Sequence, residues 1–188
     1  MTTPLSPTQT PRLLLTRPQP DDLAELFALH ADPDSWRHLP SGRHRTREDT
    51  EQLLRGYEQS WAEHGLGAWV ARRRGGPEDG ALVGVGGCSL RGGVAWNLYY
   101  RLTPACRGQG LAQEIIAAAL PAARRVRPEL PVVAYLVEHN TGSKAAAERA
   151  GLVLRWRGPD AGNPDPDAVR LVYADRALAP AVLESFTG

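Results

Sequence analysis

Arg107, Gly108 and Gly110 stand between an apolar run that ends near Leu102 and the start of a helix, and their types and spacing suit the binding of a phosphate. The segment Arg107-Gly-Gln-Gly-Leu-Ala112 leads into a helix expected from about Gln109. Unpaired N–H groups at a helix start point outward, and the helix dipole favours negative charge there. Glycine lets the backbone approach a ligand closely and adopt angles other residues avoid. Arginine adds a planar fork of donors that matches a phosphate. Two familiar phosphate loops do not fit. Gln113 occupies the place of the third glycine of a dinucleotide fingerprint, and no Gly-Lys-Ser/Thr follows for a P-loop.

A second group lies downstream. Pro131-Val-Val-Ala-Tyr-Leu-Val137 reads as a buried strand, apolar and rich in β-branched residues. Asn140 follows, then Ser143 as the expected N-cap of a short helix, and Gly151-Leu152 as its stop. The two groups are about thirty residues apart, the separation one crossover helix needs.

Arg107-x-x-Gly110-x-Ala112, followed by Asn140, Ser143 and Gly151-Leu152 in that order, resembles the GNAT superfamily of N-acetyltransferases. The Asn-x-x-Ser form is similar to its RimJ/RimL-like branch. The resemblance implies an α/β (α+β) acyltransferase fold: a mixed, mostly antiparallel six- to seven-stranded sheet flanked by about four helices. It implies acetyl-CoA as co-substrate, no metal, and direct acetyl transfer to a primary amine. The acceptor is a protein N-terminal α-amine or a small-molecule amine. A non-catalytic acyl-CoA-binding module is the alternative.

The same resemblance assigns residues. Backbone groups at Leu102 and Thr103 would hold the pantetheine. Amides from Arg107 through Gly108, Gln109, Gly110 and Leu111 to Ala112 would take the pyrophosphate. Asn140 and Ser143 would fix the cofactor from the other side. Many relatives place a glutamate base where this chain has Tyr135, and a tyrosine acid where it has Ala147. Ser143 is then the expected acid, with helix capping as its rival role. Glu138 and Tyr135 are the further catalytic candidates, with His139 beside them at the strand end. The weak base set favours an amine of low pKa. An α-amine titrates near ~8, whereas deprotonating a lysine near ~10.4 costs ~3 kcal/mol more.

The rest of the sequence must position these groups. The chain has 188 residues, 22 basic and 21 acidic, so its global charge makes no case for nucleic acid or membrane. It is read as a tail over residues 1–10 and a single domain over 11–188. Cys88 and Cys106 read as free thiols in a reducing cytoplasm. A cysteine hydrolase built on Cys106 and His139 lacks an orienting partner, and the histidines show no metal-ligand spacing. Quaternary state is expected to be monomer or homodimer.

The expected element order is β-α-α-β-β-β-α-β-α-β-β. Arg12 to Arg17 is the first strand. A helix opens at Pro20, with Leu23, Leu26, Phe27 and His30 on one face. A second helix is capped by Thr46 with Asp49 three residues on, a relative of the capping box. A hairpin spans Gly67 to Cys88. Pro121 is expected to kink or break the central helix near Leu120. Specificity is assigned to the loops Trp36 to Arg45 and Gly158 to Asp167.

Overall fold

A computed structural model describes residues 7–188. One eight-stranded sheet runs through them, in the order β1-β2-β3-β4-β5-β6-β8-β7. The strands are β1 (Thr8–Gln9), β2 (Leu13–Thr16), β3 (Ala68–Arg73), β4 (Leu82–Arg91), β5 (Ala95–Leu102), β6 (Val132–Val137), β7 (Val153–Pro159) and β8 (Val169–Ala174). The α-helices are α1 (Leu23–Ala31), α2 (Arg47–His64), α3 (Leu111–Val126), α4 (Thr141–Arg149) and α5 (Pro180–Thr187). Every pairing is antiparallel except β5 with β6.

The strand count exceeds the expected six to seven by the short β1, which lies inside the stretch read as a tail. Its two residues, Thr8 and Gln9, pair with Leu15 and Leu14. The first six residues of that stretch lie outside the described residues. Helix α5 was also unforeseen. It is eight residues long, too short for a clear period, and it is held by Phe186. That ring is fully buried against Ala95, Val133, Val172 and Ala174.

Helix α3 packs on the sheet through Leu111, Ile115, Ile116 and Ala119, all essentially without exposure. The close approach needs Gly86 on β4, where a Cβ would stand 2.9 Å from the Ile115 Cγ2 methyl. The helix begins at Leu111 rather than at Gln109, because Gly110 takes a left-handed conformation (φ +76°) at its N-cap. It then runs unbroken through Pro121, against expectation. Proline removes one helical donor. Leu120, Ala122 and Ala123 are buried on either side of it, and that packing carries the helix across the gap.

Helix α2 begins as read. Asp49 N–H donates to Thr46 Oγ1 at 3.3 Å, and Asp49 Oδ2 accepts from Thr46 N–H at 2.9 Å. Arg72 on β3 is spent on the fold. It donates to Asp22 Oδ1 at 2.7 Å and to Glu25 Oε2 at 2.5 Å. Helices α1 and α2 cover the face of β3 to β5 opposite α3: Leu26, Leu29, Leu54 and Tyr57 pack there on Ala68, Val70 and Val85.

Candidate active site

The parallel pair β5–β6 is in register only at Trp96 with Val132 and Asn97 with Val133. Beyond that point the strands part, and an opening through the sheet results. Strand alternation sends Asn97, Tyr99 and Arg101 to the α1/α2 face and Leu98, Tyr100 and Leu102 to the α3 face. A cavity lies against each face. One, of about 320 Å³, is walled by Trp36, His38, Leu39, Asn97, Tyr99 and Tyr135. The other, of about 250 Å³, is lined by Leu102, Arg107, Gly108, Ala112, Gly142 and Ala146. His38, Tyr100, Arg101, Asn140 and Ser143 border both.

The loop between β5 and α3 turns twice through left-handed glycines, Gly108 (φ +74°) and Gly110 (φ +76°). Among the described residues, the amides of Gly108, Gln109, Gly110, Leu111 and Ala112 have no protein acceptor, while Gln113 N–H returns to Gly110 O at 3.1 Å. An array of free amides at the mouth of the second cavity is what a diphosphate requires. Not every expected group is available. Thr103 N–H is committed to Val83 O at 2.9 Å. The Leu111 side chain is in the core, so it could contribute only its amide. The Gln109 carboxamide bonds Ala105 O at 2.8 Å and meets the Arg73 guanidinium, facing away from the cavity. Arg107 borders the cavity but is tethered, donating to Asp34 O at 2.9 Å and Ser35 Oγ at 3.3 Å.

Downstream, the cap differs from the reading. Asn140 is the N-cap of α4, its Oδ1 accepting from Ser143 N–H at 3.1 Å. A capping role for the Ser143 hydroxyl is thereby removed. Ser143 sits one turn into the helix and its hydroxyl has no partner among the described residues. Its carbonyl accepts from the Tyr100 hydroxyl at 3.2 Å. Burial raises the Tyr100 pKa, so the phenol stays protonated. Sequence reasoning missed Tyr100, because a tyrosine in an apolar strand reads as core.

The remaining candidates divide. Tyr135 is 39% exposed and lines the first cavity, its hydroxyl accepting from Arg91 Nη1 at 3.3 Å. Glu138 borders neither cavity. Its carboxylate is forked to Arg157 at 2.8 and 2.9 Å, and that pairing holds its pKa below the usual carboxylate range. A base so paired is weak. His139 donates from Nε2 to His38 O at 2.8 Å, and Cys106 is packed in the core, so the two form no nucleophilic pair. His38, by contrast, borders both cavities, and burial with the charges of Arg101 and Arg107 lowers its pKa to about 4. It is a neutral imidazole at pH 7. Among the described residues, no group of His, Cys, Asp or Glu is placed to hold a metal.

A split parallel pair, a glycine turn of free amides and a cavity on each side make up the candidate site. The chain belongs to the GNAT acetyltransferase family: the family model described as acetyltransferase (GNAT) domain matches residues 12–153. Solved structures share the fold. A GnaT-family acetyltransferase from Bordetella pertussis is 22% identical, with TM-score 0.75 over 92% of this chain and 100% of that one. An acetyltransferase from Agrobacterium tumefaciens is 24% identical, with TM-score 0.72 over 93% and 96%. RimL, a ribosomal-protein alpha-N-acetyltransferase in complex with coenzyme A, is 18% identical, with TM-score 0.72 over 90% and 96%.

Proposed function

We propose that the protein is an acetyl-CoA-dependent N-acetyltransferase that transfers acetyl directly to a primary amine. The reading is supported most by the free amides of Gly108 to Ala112 beside a cavity that meets a second one through the parted β5 and β6. Acetyl-CoA supplies an activated acyl group as a thioester. The chain supplies position and protons. The amides of Gly108 to Ala112 bind the diphosphate. Leu102 and Asn140 flank the pantetheine arm. The amine enters from the Trp36–Tyr135 cavity and meets the acyl carbon at the opening in the sheet. Ser143, with its unpartnered hydroxyl at that opening, returns a proton to the leaving sulfur.

No strong base borders the opening, which favours an amine already partly neutral at pH 7. A protein N-terminal α-amine satisfies this best, and a free amino acid, whose ammonium its own carboxylate stabilises, still satisfies it better than a lysine side chain. The protein acts within one domain in the cytoplasm on this reading. Among the described residues, no helix is long and apolar enough to cross a membrane.

Gly110→Val tests the placement of the cofactor. A β-branched residue is strained at φ +76°, and its side chain stands where the diphosphate nears the backbone. Acetyl-CoA affinity is expected to fall at least about tenfold, or roughly 1.4 kcal/mol. Calorimetric titration of the folded variant measures it, and unchanged affinity would remove the loop from the cofactor site. Release of free thiol, screened over small amines and N-terminal peptides, separates an enzyme from a module that only binds.

A further inference from the structure

We propose that Arg101 is an anion anchor in the acceptor cavity, and that the amine this protein acetylates is a small amino carboxylic acid whose carboxylate pairs with that guanidinium. The inference rests on the transferase reading for its chemistry but on separate residues for its site. Arg101 is only 8% exposed, yet among the described residues it forms no ion pair. Its partners are all neutral. Nε donates to the Tyr99 hydroxyl at 2.7 Å, Nη1 donates to the Ser35 carbonyl, and the guanidinium lies 3.4 Å from the centre of the Trp36 ring. Nη2 has no partner among the described residues.

Two other partly buried arginines of this chain carry counter-ions. Arg170, at the same cavity, is paired with Asp160, and Arg72 is paired with Asp22 and Glu25. A buried charge with no counter-ion is costly. The neighbouring histidines do not relieve the deficit. Burial first, and the Arg101 charge after it, lowers the pKa values of His30, His38 and His44, so all three are neutral at pH 7. A carboxylate brought by the acceptor would supply the missing charge through a charge-assisted hydrogen bond.

The same cavity holds a second unmet group. Asn97 Oδ1 is buried and has no hydrogen-bond partner. The residue itself lines the cavity. A buried cation beside an asparagine with an unmet polar atom makes this a polar corner of an otherwise apolar cavity, which complements a compact molecule that carries an oxyanion. The volume, about 320 Å³, and walls of Trp36, Leu39, Tyr99 and Tyr135 suit a compact molecule rather than a long flexible one.

The test compares each L-amino acid with its carboxamide and its decarboxylated amine, in wild type and in Arg101→Gln and Arg101→Lys. The wild type should favour the acid by at least about thirtyfold in kcat/KM, carried mainly by KM. Arg101→Gln should reduce that preference to within about threefold, and Arg101→Lys should retain part of it. Three results would overturn the proposal: no preference in the wild type, an intact preference in Arg101→Gln, or an equal loss of kcat on every acceptor. The last would place the charge on the reacting acyl group. Calorimetry with the acids and amides alone reads the anion site without turnover, so failure of the transferase reading stays separate. Undiminished binding of the acids in Arg101→Gln would also overturn the assignment. So would binding and turnover confined to peptides with acidic first residues, with free amino acids inert.

Discussion

Ser143→Ala should lower kcat by roughly a hundredfold, the low end of the range for loss of a general acid, while acetyl-CoA affinity holds within about twofold. The leaving sulfur is a thiolate of reference pKa about 8.5, so it accepts a proton readily once a donor is in reach. Ser143 borders both cavities at the opening in the sheet, and its hydroxyl is not spent on the helix cap, which Asn140 provides. Removing the hydroxyl therefore leaves α4 capped, and a loss of kcat would not come from unfolding. Tyr100→Phe is the companion measurement. Its phenol is bonded to the Ser143 carbonyl and kept protonated by burial, so it is the competing donor. A near-normal kcat in Ser143→Ala with a large fall in Tyr100→Phe would move the acid role to the tyrosine.

Acidification should destabilise the protein between about pH 6.5 and pH 4, by an amount on the order of 3 kcal/mol from His30 alone. His30 has no exposed surface, and burial is the main reason its pKa falls to about 4. Its Nδ1–H donates to Leu26 O at 2.8 Å, and its Nε2 lone pair faces the Tyr99 hydroxyl at 3.5 Å. That hydroxyl accepts in turn from Arg101, while the His44 ring stacks at 4.7 Å. The unfolded imidazole titrates near its ordinary value, so below pH 6.5 the unfolded chain binds more protons than the folded one. Stability is complete above pH 6.5 and is lost as pH falls toward 4. His38, also lowered to about 4, adds to the same slope. Melting temperature against pH should fall across this window and fall less steeply in His30→Gln. A flat profile from pH 7 to 4.5 would show that His30 is charged in the folded state.

The two motifs were legible because each is a local pattern with a local cause. Glycine at 108 and 110 reports left-handed turns, and small polar residues before a short alanine-rich helix report its start. Even there the cap was read at Ser143, and the backbone puts it three residues earlier, at Asn140. The opposite wall of the site was not legible. Trp36, His38, Tyr99 and Arg101 come from a loop and a strand far apart in the chain, and no spacing rule links them. Arg101 sits in an alternating strand where an arginine ordinarily faces water. Its meaning depends on Ser35 and Trp36 covering it, which is tertiary information. Pro121 misled for a related reason: local rules stop a helix there, and burial of its flanks overrides them.

The parting of β5 and β6 after Asn97 and Val133 makes the sheet a partition with a window. On the proposed reading, donor and acceptor approach from opposite rooms and share the frame around His38, Tyr100, Arg101, Asn140 and Ser143. Side chains on the α1/α2 side can then be exchanged to admit a new amine without disturbing the grip on the nucleotide. The two specificities are free to diverge independently.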